Sequence, residues 1–526
     1  MSFERTRIDP RLGRSTGLMI LIVENERTYL QGADPLILNW LDKELRYTVV
    51  DPELLADERD PELKANNTWD GWIRLLRRPK IKLPWFPTGL LSLVERLITK
   101  YRYTYTLNDK RIRPKEGFPE LVKIPLRDYQ KKAVDLALKE GRGVLDMVPR
   151  SGKTRILCEI QRSLALPTIW IVPTDGIARQ TKNVFDSFFY DAYSYHLVGA
   201  SKDKLEIAKK ASVVICTMAT AVMLPYDLYQ SRECIIVDEF HRAAAKSFNT
   251  IFEKCSHMYF RYGATGTFFR SGGDDLAMHA HLRETIYRIT SADLLQYGFL
   301  VPTKVVFLPI TQRMPRHERG PMPNTFFTGH GKYGIHEFQY RNDIVSQCTY
   351  WLCQYGYNVL VLVGTKKQGR LLQASISKYL PVNKGTEFKA VEFVSTDMRR
   401  RMQAKIITAF LETQEIRVLL GTTILSEGMD LPSVDALVYA RGEKAEVSLT
   451  QSIYRTCTAV EGKTHAVVVD FADRHNRKLL KHSQERLEVY YNEPIFKVDI
   501  LEDVSQFNHW LSQVSVSQAR CAGESK

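Results

Sequence analysis

Val144-Leu-Asp-Met-Val-Pro-Arg-Ser-Gly-Lys-Thr154 runs from an apolar segment directly into a short polar loop. A strand that turns through such a loop into a helix directs backbone N–H groups and the positive end of the helix at one place, where phosphates bind. In loops of this kind the lysine, here Lys153, reaches the terminal phosphates, and the hydroxyl of Thr154 holds Mg²⁺. The stretch therefore predicts a parallel α/β sheet with a phosphate site at the end of one strand.

The loop departs from the usual phosphate-loop pattern at two positions. The pattern has glycine six residues before the lysine, where this chain has Met147, and Arg150 stands at the flexible middle of the loop. We still expect the loop to hold the nucleotide. The residues expected to do so are Arg150, Ser151, Gly152, Lys153 and Thr154.

A second apolar run ends in Asp238-Glu-Phe-His241, 85 residues after Lys153. A carboxylate at the end of a neighbouring strand faces the metal, and the next one polarises the attacking water. We assign these roles to Asp238 and Glu239. A Gly-Lys-Thr tripeptide alone is more often a surface feature, but a buried strand before it and an Asp-Glu pair after it predict a site that hydrolyses ATP with Mg²⁺.

Charge and length restrict the class of protein. At about 100–200 residues per domain, 526 residues predict three or four domains. Lys and Arg number 74 against 60 Asp and Glu, a net charge of +14, which favours a polyanionic partner. A basic protein that binds no nucleic acid is the alternative at this point.

The cysteines and the apolar runs indicate a cytoplasmic protein. Eight cysteines are scattered without a Cys-x-x-Cys pair, which is typical of reduced thiols. The early apolar run at residues 18–23 is far shorter than the roughly 20 residues of a membrane span. We expect a buried strand there and no membrane contact.

Two series of short apolar runs alternate with helical patterns, which predicts two α/β lobes with parallel sheets. The runs are residues 143–148, 168–172, 212–216, 233–237 and 259–264 in the first series, and 358–363, 390–394, 417–420, 434–439 and 466–469 in the second. A proline-rich stretch at 313–323 reads as a linker. We expect an α+β accessory domain at 1–118, the lobes at 119–308 and 309–490, and a tail at 491–526.

The accessory segment contains a basic and aromatic stretch at residues 67–85. Asp70-Gly71 suggests a hairpin turn, and cations follow without an intervening acid. We expect this stretch to contact duplex or branched DNA. The alternative is a hairpin whose tryptophans are core and whose cations are merely solvated. The candidate residues are Trp69, Arg74, Arg77, Arg78, Lys80 and Lys82.

Further motifs, most of them strand ends with a threonine, follow in a fixed order. They are Ile171-Val-Pro-Thr-Asp-Gly-Ile-Ala-Arg-Gln180, Ile215-Cys-Thr217, Gly263-Ala-Thr-Gly-Thr267, Leu362-Val-Gly-Thr365 and Gly421-Thr-Thr-Ile-Leu-Ser-Glu-Gly-Met-Asp-Leu-Pro432. Several of them are weak alone, because a strand followed by threonine is common, whereas the stretch at residues 421–432 matches its motif in full. Together with Leu126-Arg-Asp-Tyr-Gln130 and the two ATP motifs, they resemble a superfamily 2 helicase over residues 119–475.

That resemblance implies two RecA-like lobes and a role for each motif. Arg127 and Gln130 would contact the adenine, and His241 would link the ATP site to the 263–267 motif, although it could simply cap its strand end. Gly428 and Asp430 would complete the nucleotide site from the second lobe. Phosphates of a nucleic acid strand would be held by Thr174, Arg179, Thr217, Thr365 and Thr422.

The last helicase motif is the one that departs most. The family's Gln-Arg-x-Gly-Arg-x-x-Arg aligns with Gln451-Ser-Ile-Tyr-Arg-Thr-Cys-Thr458, which keeps Gln451 and Arg455 but has Ser452 and Thr458 in place of two arginines. An arginine finger contributes about 10³–10⁵ in rate. We therefore expect Arg455 to carry that role alone. The competing interpretation is a weak ATPase whose second lobe no longer completes the site.

The accessory segment indicates which group of superfamily 2 helicases the chain resembles. Trp69-Asp-Gly-Trp-Ile-Arg-Leu-Leu76, followed by Leu-Pro and an apolar helix, is similar to the accessory domain of the UvsW family of phage branch-migration helicases. This implies action on single-stranded, forked or four-way DNA in replication, recombination or repair, by a monomer in the host cytoplasm, with other replication or recombination proteins as further partners. The motifs alone leave open a restriction-type translocase, an RNA helicase, or a nucleic-acid-binding regulator with weak ATPase.

Overall fold

The computed structural model describes residues 19–48, 72–120, 122–239, 245–266, 275–312, 334–380, 388–413, 415–422, 434–443 and 447–523. The chain divides into two compact units, the first ending at Ile289 and the second beginning at Thr290. The expected boundary between the lobes, after residue 308, lies 19 residues later than this division.

In the described residues of the accessory domain, a mixed sheet is accompanied by two helices. Its elements are β1 (Met19–Val23), β2 (Arg27–Gln31), α1 (Pro35–Glu44), β3 (Arg46–Tyr47), β4 (Ile73–Arg74), β5 (Trp85–Pro87), α2 (Leu91–Lys100) and β6 (Tyr105–Asp109). Strand order in the main sheet is β5-β2-β1-β6, in which β1 and β6 are parallel and the other pairs antiparallel. The alternating burial of β1 confirms the strand expected at residues 18–23.

The first lobe is a seven-stranded parallel sheet with the order β13-β7-β12-β11-β8-β10-β9. Its strands are β7 (Arg142–Met147), β8 (Thr168–Val172), β9 (Ser194–His196), β10 (Val213–Thr217), β11 (Cys234–Asp238), β12 (Phe260–Thr265) and β13 (Thr285–Ile289). Its helices are α3 (Asp128–Glu140), α4 (Lys153–Leu164), α5 (Asp175–Phe188), α6 (Lys202–Lys210), α7 (Met218–Met223), α8 (Tyr226–Gln230), α9 (Ala245–Lys254) and α10 (Asp275–Leu282).

All five strands expected in this lobe are present. Strands β8, β11 and β12 are buried along their whole length, as parallel strands covered on both faces must be. The two strands that were not expected, β9 and β13, lie at the edges of the sheet. Both are partly exposed and therefore lack a continuous apolar run.

The second unit contains another seven-stranded parallel sheet, with the order β16-β17-β15-β18-β19-β14-β20. Its strands are β14 (Thr303–Ile310), β15 (Val359–Leu362), β16 (Val391–Val394), β17 (Val418–Gly421), β18 (Ala436–Tyr439), β19 (Ala466–Asp473) and β20 (Phe496–Ile500). Its helices are α11 (Ser291–Gln296), α12 (Gln339–Gln354), α13 (Lys366–Ile376), α14 (Arg400–Thr408), α15 (Val447–Thr456), α16 (Arg477–Tyr491) and α17 (Gln506–Gly523).

Two expectations about this unit are corrected. Strand β14 spans the expected boundary at 308 and pairs with β19 and β20, so it belongs to the second sheet. The expected tail at 491–526 contains β20 and α17, and Phe507 and Leu511 of α17 lie in the core. These residues are therefore part of the lobe.

The accessory domain is joined to the first lobe by buried polar contacts. Arg261, on β12, is 1% exposed and its guanidinium lies 2.9 Å from the Glu26 carboxylate. The Asn25 side chain donates a hydrogen bond to the backbone oxygen of His257 at 2.6 Å. Because a buried charge is stable only when it is paired, these contacts hold the two domains in one arrangement.

Candidate active site

The phosphate loop lies between β7 and α4. Gly152 stands directly before the helix with a φ of +82°, and Lys153 is the first residue of the helix. A Cβ on Gly152 would lie 2.3 Å from the side-chain nitrogen of Gln130, so the loop requires glycine there. The first N–H groups of a helix have no preceding turn to donate to, which is the feature that binds phosphate, and Lys153 and Thr154 supply these groups in α4.

Arg150, in the middle of the loop, has a φ of +73°. This left-handed conformation costs a non-glycine residue about 1–2 kcal/mol, because its Cβ approaches the following carbonyl oxygen. Strained residues of this kind are found preferentially at functional sites. The arginine that replaces a flexible residue in this loop is therefore held in an unfavourable conformation by its surroundings.

The lysine of the loop and the second carboxylate of the Asp-Glu pair are in direct contact. The Lys153 ammonium nitrogen lies 2.5 Å from Oε1 of Glu239, and both side chains are about nine-tenths buried. Glu239 has a φ of +49°, and its other oxygen accepts a hydrogen bond from the backbone N–H of Gly266 at 3.4 Å. The fold thus brings together the two groups that the sequence assigned to ATP hydrolysis.

Gly266 lies close to the same lysine. A Cβ at this position would be 2.9 Å from the Lys153 nitrogen and 3.1 Å from the Pro149 side chain. Gly266 belongs to the 263–267 motif, which the resemblance associates with coupling ATP state to nucleic acid. Its close approach links that motif physically to the phosphate loop.

Asp238 ends β11 and is 6% exposed. Burial and, second to it, the neighbouring Glu239 carboxylate raise the pKa of its carboxyl group to about 7, against the opposing effect of the Lys153 cation. A divalent cation at this carboxylate would favour its charged form. Oxygen donors suit Mg²⁺, so Asp238 and the hydroxyl of Thr154 would hold the ion together with phosphate oxygens.

The Leu126–Gln130 motif supports the loop from behind. Gln130 donates a hydrogen bond from its side chain to the Ser151 backbone oxygen at 2.9 Å, and the Tyr129 hydroxyl donates to the same oxygen at 2.7 Å. Tyr129 was not singled out in the sequence, although it stands inside the quoted motif. Arg127 is exposed, and its guanidinium donates a hydrogen bond to the Tyr129 hydroxyl at 3.3 Å.

Ser151 takes part in the loop through its backbone. Its side chain is fully buried, and its backbone oxygen receives the two hydrogen bonds just described. A buried serine of this kind shapes the loop. Its backbone N–H donates a hydrogen bond to the Val148 backbone oxygen at 3.3 Å, so the residue is held within the loop on both sides.

Three threonines proposed to hold strand phosphates share one structural role. Thr174, Thr217 and Thr365 each precede a helix that follows a strand, and each hydroxyl accepts a hydrogen bond from a backbone N–H three residues later, at 3.4, 3.3 and 3.2 Å. Thr422 follows the end of β17. The Thr217 hydroxyl also donates a hydrogen bond to the Thr220 hydroxyl at 3.2 Å. A threonine hydroxyl that accepts from the backbone can donate its proton to a phosphate oxygen, and this applies to Thr174 and Thr365.

Arg179 is engaged within its own helix. Its guanidinium lies 2.6 Å from the Asp175 carboxylate, one turn earlier, and both side chains are nearly half exposed. Such surface pairs contribute roughly 0–1 kcal/mol, so a nucleic acid phosphate can compete for the arginine.

The last helicase motif lies on α15. Gln451 is partly exposed, Ser452 is fully buried, and Arg455 is 8% exposed in the last turn of the helix. The backbone oxygen of the following Cys457 accepts a hydrogen bond from the N–H of Val301. The end of the helix is therefore built into the second sheet. Four further candidates lie outside the described residues: Trp69, His241, Gly428 and Asp430.

One buried cation was missed by the sequence analysis. Arg441 follows β18 and is 7% exposed, with one nitrogen 2.7 Å from Glu443. Its other two nitrogens, Nε and Nη1, have no hydrogen-bond partner among the residues that the structure describes. It lies outside every motif, so no sequence pattern marks it.

The cations of the basic stretch at residues 67–85 fall into two groups in the structure. Arg74 pairs with Asp42 at 3.2 Å, and the Arg78 guanidinium contacts Asn39 and the backbone oxygen of Leu38. These two arginines stabilise the accessory domain. The remaining cations, Arg77, Lys80 and Lys82, are exposed.

The hairpin turn expected at Asp70-Gly71 lies outside the described residues. Just after it, Ile73–Arg74 pairs with Arg46–Tyr47. A second antiparallel contact joins Arg77 to Trp85. The chain therefore turns between residues 78 and 84.

Two family models match the chain, one in each unit. "Type III restriction enzyme, res subunit" matches residues 123–270, and "Helicase conserved C-terminal domain" matches residues 341–459. A lobe with a phosphate loop and an Asp-Glu pair, followed by a helicase C-terminal lobe, defines an ATP-dependent helicase of superfamily 2, and the chain is one.

Among individual proteins, the chain resembles the phage UvsW helicases. It is 23% identical over 478 residues to the ATP-dependent DNA helicase uvsW of Enterobacteria phage T4, which covers 82% of this chain and 90% of the relative. It is 27% identical over 151 residues to the DNA 3'-5' translocase XPB2 of Sulfurisphaera tokodaii, covering 29% of this chain and 33% of that protein.

The fold is also found in a restriction enzyme. The ATP-dependent type ISP restriction-modification enzyme LlaBIII, solved bound to DNA, superposes with a TM-score of 0.54 at 14% identity, covering 76% of this chain and 33% of that one. This likeness concerns the fold alone. None of the described helices is both long and apolar enough to cross a membrane.

Proposed function

We propose that the protein is an ATP-dependent DNA helicase or translocase that unwinds or branch-migrates forked and four-way DNA in phage replication, recombination or repair. The contact between Lys153 and Glu239 carries the catalytic part of this proposal. It brings a cation for the terminal phosphates within hydrogen-bond distance of a carboxylate that can orient water.

Hydrolysis requires these two groups to separate. When ATP enters, its γ-phosphate competes for Lys153 and frees the Glu239 carboxylate to accept a proton from the attacking water. The water oxygen then bonds to the γ-phosphorus, the bond to the β,γ-bridging oxygen breaks, and ADP and phosphate leave. Asp238 and Thr154 would hold Mg²⁺, which would neutralise charge on the phosphates, and Arg455 would stabilise the charge on the transferring phosphoryl group.

Three features support a nucleic acid as the partner, and the first of them favours DNA. The likeness to the DNA helicase uvsW spans 82% of this chain and 90% of that protein. Threonines precede helices at the ends of strands in each lobe, where strand phosphates can bind. The net charge of +14 favours a polyanion.

ATPase and strand-separation assays on matched DNA and RNA substrates test this proposal. We expect forked and four-way DNA to stimulate ATP hydrolysis more than RNA of the same length. An RNA helicase would show the reverse preference. A restriction-type translocase would hydrolyse ATP on duplex DNA and release no labelled strand from a fork.

One observation favours a second function. The phosphate loop has Met147 and a strained Arg150, and the last motif has Ser452 and Thr458 in place of arginines. A nucleic-acid-binding regulator with weak ATPase would have such a site. Turnover near background with saturating forked DNA would favour it over the helicase.

A further inference from the structure

The chain between Arg77 and Trp85 forms a projecting hairpin, which we call the tip hairpin (residues 77–85). Arg77 and Trp85 exchange two backbone hydrogen bonds, of 2.8 and 3.0 Å. On either side of this pair, Leu76 and Phe86 are buried in the core of the accessory domain. The base of the hairpin is therefore anchored.

Two cations stabilise the end of the hairpin that carries the Arg77–Trp85 pair. The Arg27 guanidinium lies 4.4 Å from the centre of the Trp85 ring, and the Arg78 guanidinium donates a hydrogen bond to the Asn39 side chain at 2.8 Å. Cation–π and charge-assisted contacts of this kind restrain side chains at a partly exposed surface. The hairpin consequently presents its tip from a fixed position.

An apolar side chain at the tip of the hairpin is exposed to solvent. Ile81 is 99% exposed, and the lysines on either side of it, Lys80 and Lys82, are exposed as well. Within the described part of the chain, Arg77, Lys80 and Lys82 form no ion pair. A single exposed isoleucine is ordinary on a protein surface, but here it stands at the end of a braced hairpin and between two unpaired cations.

We propose that Ile81 is a wedge that inserts between bases where a DNA duplex branches, while Lys80 and Lys82 contact the phosphates beside it. Apolar side chains that enter a base step unstack it, and nearby cations offset that cost by binding the backbone. This inference rests on the proposed function, because it adds to a DNA helicase the element that opens the duplex.

The charged residues of the tip hairpin favour DNA over a protein as its binding partner. A docking site for a protein would be expected to have a wider apolar surface, because interface cores are apolar and poor in charge. Ile81 and Leu83 are the large apolar side chains of the tip, and the neighbouring residues are cationic. This combination is complementary to a polyanion with stacked bases.

The test uses the full-length protein and a fork that carries 2-aminopurine at the first base pair of the duplex. Binding without ATP should raise the fluorescence, since unstacking relieves the quenching of this base. Ile81→Ser should reduce the rise at least fivefold, and Ile81→Leu should retain it. Ile112→Ser is the matched control, because Ile112 is also exposed, at 77%, and lies outside the tip hairpin.

The rate of fork unwinding should fall at least fivefold in Ile81→Ser, while ATP hydrolysis stimulated by single-stranded DNA stays at the wild-type rate. A double Lys80→Gln and Lys82→Gln variant should lower the slope of log affinity against log salt by about two, one unit for each phosphate contact.

The outcomes separate the wedge from the function on which it depends. If Ile81→Ser gives the wild-type fluorescence and unwinding rate, the wedge is wrong, and a protein-docking role would produce this result. If DNA does not stimulate ATP hydrolysis in the wild-type protein, the proposed function itself fails. Equal loss of fluorescence change in Ile81→Ser and Ile112→Ser would also overturn the assignment to the tip.

Discussion

The ammonium group of Lys153 and the carboxylate of Glu239 lie 2.5 Å apart and are both largely buried. They come from the helix after β7 and from the end of β11, 86 residues apart in the chain. In this arrangement each neutralises the other. A nucleotide must therefore exchange the Lys153–Glu239 pair for a Lys153–phosphate contact before Glu239 can act on water.

Glu239→Gln should stop ATP hydrolysis while ATP binding persists. The amide keeps the size of the side chain and its contact near Gly266, but it cannot accept the proton from water. We expect kcat to fall at least 10²-fold, which is the lower range for loss of a general base. Binding of a fluorescent ATP analogue measures the retained affinity, and its loss in this variant would contradict the assigned role.

Arg150→Gly should stabilise the fold and weaken ATP binding at the same time. Glycine adopts the φ of +73° without strain, so this variant should be about 1 kcal/mol more stable than Arg150→Ala, which keeps the Cβ. Urea unfolding of both variants measures the difference. Both should raise the KM for ATP if the Arg150 side chain contacts the nucleotide, and an unchanged KM would limit the residue to a structural role.

Arg455→Lys should reduce DNA-stimulated kcat by about 10³, which is the lower range measured for arginine fingers. Lysine retains the charge but lacks the planar, forked donors of arginine. Because Arg455 is 8% exposed, thermal unfolding must show that the variant folds. A kcat close to wild type would mean that another cation carries this role, and the buried Arg441 is the first to test.

Lowering the pH should reduce the free energy of unfolding of the first unit, because folding buries His281. Burial lowers the pKa of this histidine to about 4, against about 6.5 in an unfolded chain. Between these values the unfolded state binds a proton that the folded state does not, so stability falls as the pH falls from 6.5 towards 4. The full loss amounts to roughly 3 kcal/mol.

Unfolding free energies at pH 7, 6 and 5 test this linkage. His281→Gln should reduce the dependence on pH, whereas His509→Gln, at an exposed position on α17, should leave it as in the wild type. Identical curves for all three proteins would show that His281 does not govern acid stability.

The strands around the nucleotide site could be predicted because burial on both faces of a parallel sheet demands continuous apolar runs. Edge strands such as β13 are partly exposed and need no continuous apolar run, so the sequence did not predict them. The position of β14 could not be predicted, since it pairs with strands that come more than 150 residues later. A local pattern carries no information about which sheet such a strand joins.

Some contacts of the candidate site could likewise be predicted from the sequence, and others could not. Lys153 and Glu239 could be predicted to meet, because each follows a strand of one parallel sheet and the carboxyl ends of such strands lie at one edge. The pairing of Arg74 with Asp42 could not, because it depends on how a short strand packs beside α1. Nor does any motif indicate that Ile81 is exposed, since exposure follows from the fold around it.

The central claim is ATP-driven separation of branched DNA, and one measurement tests it directly. Release of a labelled strand from a fork and from a four-way junction is followed with wild-type protein and with Lys153→Ala, with and without ATP. We predict release by the wild type only with ATP, no release by Lys153→Ala, and DNA binding by both proteins. Release that does not depend on ATP, or hydrolysis by Lys153→Ala at the wild-type rate, would contradict the account.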